Sequence, residues 1–379
     1  MRFLRKEIVK KTVLVISDLH LSAGTFHQGN RNQLEDFHYD QELIEFLEYY
    51  SSNEYLNRDV ELVINGDFLD FLAVPYVSVF DDEYWSEKAS LQRLNIIKQA
   101  HAEVFEALDR FLQCKRKKVV YIIGNHDAEL ALPEVRQMFM TFFSESSRAC
   151  LEILHEGNDE YYPLPEILIK HGHQYEIANN FTKKESLIVD EGGERYFMPP
   201  WGSYYVTRVV NKFKKERAYV NQVRPPGKFL INGLIYDPVF TLRFIFANIA
   251  YFIMVRLIFM FKSEKNFKTL LKYIKSELSL FLDYEKITEN FLKERADLKA
   301  MIVGHTHIPS FRPYWNGPIF INTGTWTRIY RMDFAPHPEG VLLTYAQIDM
   351  VEDGKQKTRH QIDLNIWRGK NDHPFVEFA

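Results

Sequence analysis

The stretch Val13-Leu-Val-Ile-Ser-Asp18-Leu-His20 starts with four apolar residues and ends with two side chains that often bind metal ions. The pattern recurs four times along the chain, each time as an apolar run followed by Asp, Asn or His. The apolar runs cover residues 13–16, 62–64, 119–123, 167–169 and 301–303, and the motifs after them are Asp18-Leu-His20, Gly66-Asp67-Phe-Leu-Asp70, Gly124-Asn125-His126-Asp127, His171-Gly-His173 and Gly304-His305-Thr-His307. Short apolar runs of this kind predict buried strands. The motifs therefore predict loops at the carboxyl edge of a sheet, where oxygen and imidazole ligands can surround metal ions.

Stretches with helical spacing lie between these strands. Residues 40–50 place Leu43, Ile44 and Leu47 on one face, and residues 91–113 show the same spacing. Alternating strands and helices predict an α/β layered body. Towards the end of the chain, residues 341–348 and 361–367 have the pattern of two strands joined as a hairpin.

The chain has 379 residues and a formal net charge of −4, with enough length for one large domain or two smaller ones. The charge is uneven, because residues 178–297 contain 20 Lys and Arg against 13 Asp and Glu. A basic segment is expected to meet an anionic partner or to form a solvated face. The two cysteines, Cys114 and Cys150, are too few for a disulfide framework. Residues 1–11 lack the apolar core of a signal peptide, so we expect a cytoplasmic protein.

Residues 178–297 also differ in pattern from the rest of the chain. They are rich in aromatic and basic residues and have mostly helical spacing. Because the motif that contains His305 has to return to the site, we predict an insertion at 178–297 within a catalytic domain formed by residues 1–177 and 298–379.

The most apolar part of this insertion is residues 244–255, which Arg243 and Arg256 bound. A membrane-spanning helix needs about 20 consecutive apolar residues. We therefore interpret the run as a buried core helix or an interfacial segment. Lysines and arginines flank it at 205–228 and 262–275.

The order and spacing of the five motifs resemble the calcineurin-like metallophosphoesterase superfamily. The resemblance implies a four-layer αββα sandwich, here with a mostly helical insertion. It implies two divalent metal ions, with manganese, iron or zinc expected. In relatives the bridging ligand is a carboxylate, which corresponds to Asp67 in this chain. The other implied ligands are Asp18, His20 and His307 for the first metal and Asn125, His171 and His305 for the second.

The same resemblance implies hydrolysis of a phosphoric ester or anhydride by a hydroxide held between the two metals. His126 corresponds to the superfamily histidine beside the scissile bond, and Asp127 would orient its ring. For Asp70 and Asp127, orienting a histidine and capping a following helix are both open alternatives. His173 is expected either to face the phosphate or to satisfy its neighbours. Residues 322–326 resemble an Asn-x-Gly element and predict a supporting turn.

The opening Ile16-Ser-Asp-Leu-His-Leu-Ser22 looks like that of the bacterial UDP-2,3-diacylglucosamine hydrolases, which cleave a pyrophosphate bond. This likeness covers residues 12–175 and 299–330 and excludes the insertion. One departure is His126, because those hydrolases commonly have Arg there. Phosphoprotein phosphatases are less similar, since they usually continue the second motif with Asp-Arg-Gly and end the third in Glu, where this chain has Asp127.

The insertion leaves the partner open. Basic flanks around apolar residues are typical of segments that dock on an anionic membrane surface and bind a lipid-linked substrate. A helical cap or a dimer contact would use the same residues. Binding of a nucleic-acid strand is a third alternative, although so apolar a segment is unusual for it. Two functions follow: a metal-dependent phosphoesterase on a lipid-linked or nucleotide substrate, and a binding protein of the same fold that docks on membranes or partners.

Overall fold

The computed structural model describes residues 8–76, 82–155, 159–224, 226–262, 284–314, 317–331, 341–353, 357–370 and 375–377. The strands are β1 (Ile8–Ile16), β2 (Phe26–His27), β3 (Asn30–Arg31), β4 (Asp59–Asn65), β5 (Lys117–Ile122), β6 (Leu151–Leu154), β7 (Tyr161–Leu164), β8 (Ile167–Ile169), β9 (Leu187–Val189), β10 (Arg195–Phe197), β11 (Val223–Arg224), β12 (Ala300–Val303), β13 (Ser310–Pro313), β14 (Ile319–Asn322), β15 (Tyr330–Arg331), β16 (Thr344–Asp353), β17 (Lys357–Trp367) and β18 (Phe375–Glu377). The α-helices are α1 (Asp40–Ser51), α2 (Glu87–Ala100), α3 (Ala102–Gln113), α4 (Pro133–Met140), α5 (Glu145–Arg148), α6 (Lys183–Ser186), α7 (Trp201–Tyr205), α8 (Asn211–Lys214), α9 (Pro226–Tyr236), α10 (Pro238–Lys262) and α11 (Tyr284–Glu294).

Two large sheets form the centre of the molecule. The first has the strand order β18-β17-β16-β1-β4-β5-β6, and β1, β4, β5 and β6 run parallel. The second has the order β13-β14-β12-β8-β7, with β8, β12 and β14 parallel. The hairpin expected near the end of the chain is confirmed as β16 and β17, which pair antiparallel.

Side chains alternate between the two faces of β1, as strand geometry requires. Val13 and Val15 pack against the second sheet, in a cluster that includes Ile169 and Ile302. Leu14 and Ile16 face the opposite way, into a cluster with residues of α1, α2 and α3. The outer face of the second sheet packs on Leu292 of α11. The expected four-layer αββα sandwich is therefore the observed fold.

The helical stretch expected at 91–113 forms two helices instead of one. α2 ends at Ala100, α3 begins at Ala102, and His101 between them has a non-helical conformation with φ −119° and ψ 36°. Its buried imidazole lies 2.6 Å from the Asp40 carboxylate and 3.6 Å from that of Glu35. These contacts stabilise the non-helical conformation of His101, which the spacing of apolar residues alone does not predict.

The region between His173 and Met301 is largely helical in its described part. α10 has 25 residues and extends well beyond the apolar run at both ends. The sequence argument counted only the apolar run, which is too short for a membrane span, but the length of the whole helix does not exclude one. By length and composition, Pro238–Arg256 could cross a membrane, and only 22% of it is buried. The basic flank expected beyond Lys262 lies outside the described residues up to position 283.

Candidate metal centre

The loops that carry the polar motifs have a strained backbone. Asp18, His20, Asp67, His305 and His307 all have φ between +51° and +69°. This left-handed region costs a non-glycine residue roughly 1–2 kcal/mol. Strain of this kind persists only where the surrounding structure enforces it, and it clusters at functional sites. Five of the motif residues therefore occupy conformations that folding alone does not favour.

Two glycines of the motifs make room for carboxylates. A Cβ atom on Gly124 would lie 2.2 Å from Asp67 Oδ1, and one on Gly304 would lie 2.3 Å from Asp18 Oδ2. Both distances are far below van der Waals contact, so no other residue fits without a shift of the loops. The glycines are thus explained by the close approach of the two carboxylates.

The first group of metal-type side chains is Asp18, His20 and His307, whose ligand atoms lie within 4.8 Å of one another. His307 Nε2 is 3.4 Å from Asp18 Oδ1 and 3.1 Å from His20 Nε2. The Asp18 carboxylate also accepts hydrogen bonds from the Ser17 hydroxyl and, at 2.9 Å, from the backbone N–H of His305. The loop after β12 is thereby joined to the loop after β1.

The second group is Asp67, His171 and His305, again within 4.8 Å. His171 Nε2 is 3.2 Å from Asp67 Oδ2 and 3.3 Å from Asn125 Oδ1. Asp67 Oδ2 is also 4.0 Å from His20 Nε2, in the first group. The structure therefore brings all seven expected ligands together, with the Asp67 carboxylate between the two groups.

Hydrogen bonds on the far side of two rings determine which nitrogen faces the centre. His171 Nδ1 donates to the backbone carbonyl of Asn65 at 2.7 Å, and His20 Nδ1 lies 3.0 Å from the Asp70 carboxylate. In a neutral ring, each Nε2 then presents a lone pair to Asp67. Lone pairs and carboxylate oxygens that converge without donors repel one another unless a cation lies between them. Carboxylate, imidazole and amide ligands with this outer support suit divalent manganese, iron or zinc.

The pKa values of Asp67 and His171 show that carboxylates and imidazoles at the centre stabilise each other's charged forms. Burial raises the pKa of Asp67, but His171 and His126 outweigh it and hold that pKa well below its usual value. Burial lowers the pKa of His171, whereas Asp67 and Asp18 raise it to about 10. The buried carboxylates therefore require positive charge, either as protons on the imidazoles or as divalent cations.

The Asp70 carboxylate contacts two histidines of other motifs, His20 and His126. Its Oδ2 is 3.0 Å from His20 Nδ1, its Oδ1 is 3.0 Å from His126 Nδ1, and it accepts a hydrogen bond from the Ala73 N–H. The two open alternatives for Asp70, orienting a histidine and capping a helical turn, are thus both observed. Burial lowers the pKa of His126, but Asp70 and Asp67 raise it to about 9.

Asp127 does not orient the His126 ring, so that expected contact is wrong. Its buried carboxylate accepts hydrogen bonds from the Gly124 N–H at 2.5 Å, the Phe68 N–H at 3.0 Å and the Tyr121 hydroxyl at 2.6 Å. These donors would be unsatisfied without it, which explains why the side chain turns into the protein. Asp127 joins two motif loops and leaves the His126 ring to Asp70.

His173 and Asn322 have packing and supporting positions. The His173 ring is buried and stacks on Phe181 with ring centroids 5.0 Å apart. Within the described residues neither ring nitrogen has a hydrogen-bond partner. Asn322 donates to the Gly304 carbonyl at 2.8 Å and to the Thr306 hydroxyl at 3.0 Å, as the expected supporting turn requires.

A family model for the calcineurin-like phosphoesterases matches residues 11–226, which include the first four motifs. The chain belongs to the calcineurin-like phosphoesterase family. The expected superfamily resemblance is thereby confirmed, and the groups of metal-type ligands agree with it, including a third group that joins His20, Asp67 and His126.

Among solved structures, this phosphoesterase is similar to a dimetal phosphatase from Danio rerio, at 13% identity over 98% of this chain and 99% of that one, with a TM-score of 0.40. It is also similar to Vacuolar Protein Sorting 29 from Cryptosporidium parvum, at 13% identity over 98% of this chain and all of that one (100%), with a TM-score of 0.29. No curated protein sequence matches the chain. These structural likenesses are weak, and family membership rests on the matched residues.

One acidic residue of the phosphoesterase site has no counterpart in the sequence motifs. Glu176 Oε2 lies 2.6 Å from His305 Nε2, and Glu176 is carried by the turn after the fourth motif. Burial raises the pKa of Glu176, but His305 outweighs it and lowers the pKa. In the sequence, Glu176 is marked only by its position three residues after His173. An acidic residue at such a spacing is too common to indicate a site residue.

Proposed function

We propose that the protein is a metal-dependent hydrolase of phosphoric esters or anhydrides, in which Asp67 bridges two divalent ions. The observation that carries the proposal is the position of the Asp67 carboxylate between two groups of ligands. Asp18, His20 and His307 would bind the first ion, and Asn125, His171 and His305 the second. A binding protein without catalysis would not need this complete set of ligands.

The side chains around the ions would have separate tasks. When bound, divalent ions supply positive charge to the phosphoryl group and a nucleophile at neutral pH. Asp70 fixes the rings of His20 and His126, because each of its oxygens lies 3.0 Å from one of them. His126, which is partly exposed beside Asn125, would then donate a proton to the leaving oxygen.

We further propose a lipid-linked substrate, as the resemblance to the UDP-2,3-diacylglucosamine hydrolases implies. A groove of about 740 Å³ between the body and the insertion supports this choice. Its lining combines apolar and cationic side chains, among them Leu72, Tyr76, Met254, Arg208, Lys212 and Lys215. An amphiphile with an anionic headgroup would match this lining, because its chain would contact the apolar side chains and its headgroup the cationic ones. Leu72 stands two residues after Asp70, so part of the groove lining comes from the same loop as the carboxylate that contacts His20 and His126.

The outer face of α9 and α10 supports docking on the inner face of an anionic membrane. Ile235, Val239 and Phe246 are 67%, 70% and 73% exposed. Contiguous exposed apolar residues of this size mark an interaction surface. The Arg243–Glu216 ion pair lies in the second turn of α10 and would have to be buried by a span. Charged groups in the hydrocarbon are costly, so the helix would lie in the membrane surface instead of crossing it.

The hydrolase proposal is tested on purified full-length protein by elemental analysis and by hydrolysis of aryl phosphodiesters, phosphomonoesters and pyrophosphates. Each substrate is assayed with manganese, zinc, iron and magnesium. Asp67→Ala should abolish metal binding and activity, because in the part of the chain that the structure describes no other carboxylate lies between the two groups. Asp59→Asn, which changes a surface carboxylate at the start of β4, the strand that leads to the loop of Asp67, should retain both. An absence of metal in protein never exposed to chelator, with no turnover under any condition, would contradict the proposal.

Docking is tested by co-sedimentation with anionic and neutral vesicles. The protein should prefer anionic vesicles, and binding should weaken with salt because exposed charges are screened beyond about 10 Å at 0.1 M. Phe246→Ser should reduce binding, whereas Phe26→Ser, which removes an equally exposed ring from the body, should not. Equal loss in both variants would refute docking through α10.

A further inference from the structure

A second cavity, of about 440 Å³, opens beside the proposed metal centre. Its lining includes His307, Arg328, Tyr330 and Arg331. A cavity of this size accommodates a phosphate-bearing group next to the scissile one. The proposed function assigns no role to it.

The short parallel pair of β11 and β15 places an arginine of the insertion beside Arg331, which lines this cavity. Val223 pairs with Tyr330 and Arg224 pairs with Arg331, and the Tyr330 N–H donates to the Gln222 carbonyl at 2.9 Å. Arg224 and Arg331 therefore lie side by side on neighbouring strands, one from the insertion and one from the body.

Arg224 differs in its partners from two neighbouring arginines of the insertion, Arg217 and Arg243. Arg217 and Arg243 form ion pairs with Asp237 and Glu216 at 2.7 and 2.8 Å. Arg224 donates instead to the backbone carbonyls of Asn221 and Val223, and within the described residues it has no ion pair with a carboxylate.

Arg224 is half-buried, and burial lowers the pKa of its guanidinium. A desolvated guanidinium beside an arginine of the cavity lining is placed to bind an anion that enters the cavity.

We propose that Arg224, Arg328 and Arg331 form an anion subsite that binds a second phosphoryl group of the substrate, next to the one that is hydrolysed. This inference rests on the proposed function. Guanidinium forks match phosphate oxygens in bidentate geometry, so arginines that lie close together suit a phosphoryl group. The subsite joins the insertion to the body, because Arg224 comes from one and the other two arginines from the other. Substrates with a single phosphoryl group would leave it empty.

The test compares two probes by calorimetry on the metal-loaded full-length protein: inorganic phosphate, and methylene bisphosphonate, which has two linked phosphoryl groups and is not hydrolysed. The wild type should bind the bisphosphonate more tightly. Arg224→Gln should weaken bisphosphonate binding about 10- to 100-fold, the usual effect of losing hydrogen bonds to a charged group, and change phosphate binding little. Arg243→Gln, a surface arginine of the same insertion, is the matched control and should change neither.

Arg224→Lys tests whether the effect of Arg224→Gln comes from a folding defect, because lysine keeps the positive charge and lacks only the forked guanidinium. It should lose part of the selectivity for the bisphosphonate. Unchanged bisphosphonate affinity in Arg224→Gln, or an equal loss for both probes, would overturn the subsite. Because the ratio of affinities needs no turnover, it still tests the subsite if the hydrolase proposal fails.

Discussion

His101 should make the stability of the protein fall as the pH rises above neutral. Its buried imidazole lies 2.6 Å from Asp40 Oδ1 and 3.6 Å from Glu35 Oε2. Burial lowers its pKa, but the two carboxylates outweigh burial and raise the pKa to about 9. Glu35 also accepts hydrogen bonds from the Ser22 and Gly24 N–H groups, just after the first motif.

The sign and size of the effect follow from linkage. The folded state keeps the His101 proton up to a pKa of about 9, whereas the unfolded chain loses it near 6.5. The stabilisation is complete below pH 6.5 and disappears as the pH rises through 9. At about 1.4 kcal/mol for each pKa unit, the contribution amounts to about 3 kcal/mol.

Urea unfolding of the wild type and of His101→Gln at pH 6, 7.5 and 9.5 measures this contribution. The difference in unfolding free energy between the two proteins isolates His101, because the other titrating groups are common to both. That difference should shrink by about 3 kcal/mol between pH 6 and pH 9.5. His38→Gln, which removes an exposed imidazole, is the matched control. A difference that stays constant over this range would refute the argument.

Two further predictions concern the metal centre. His126→Asn should leave both metals in place and lower the rate of hydrolysis of alkyl esters about 10²- to 10⁴-fold. The loss should be much smaller for nitrophenyl esters, because nitrophenolate leaves without a proton. Steady-state kinetics that show an equal loss for both kinds of ester would contradict the role of His126 as proton donor. Gly124→Ala should lower the metal content measured by elemental analysis, because its Cβ would meet Asp67 Oδ1 at 2.2 Å. Gly227→Ala is the control, since its Cβ would have nothing within 4 Å, and a wild-type metal content in Gly124→Ala would contradict the steric argument.

The position of the candidate site could be predicted because it depends on topology. Parallel strands end at one edge of a sheet, so residues that follow β1, β4 and β5 have to lie close together. The same holds for β8 and β12 of the second sheet. Ligand type and strand order therefore predict the meeting of Asp18, Asp67 and His171 without any knowledge of side-chain rotamers.

Contacts that depend on side-chain direction could not be predicted in this way. Asp70 and Asp127 are both the last residue of their motif, yet one contacts His126 and the other the backbone of Gly124. The choice follows from which buried N–H groups lack a partner, and that is known only once both loops are folded. Glu176 reaches His305 from a turn whose path no local pattern defines.

The insertion is attached to the body through α8, and this attachment would link the proposed membrane surface to catalysis. Asn211 of α8 donates to the Leu72 carbonyl at 2.7 Å, and Lys214 forms an ion pair with Asp36 at the same distance. α10 in turn packs on this anchor, since Phe244 contacts Phe213 with ring centroids 5.1 Å apart. A lipid-linked substrate drawn from the membrane would then reach the groove between α10 and Leu72 without leaving an apolar surface. On the proposal of a lipid-linked substrate, the exposed face of α10 and the cationic lining of the groove would be successive parts of one path for that substrate.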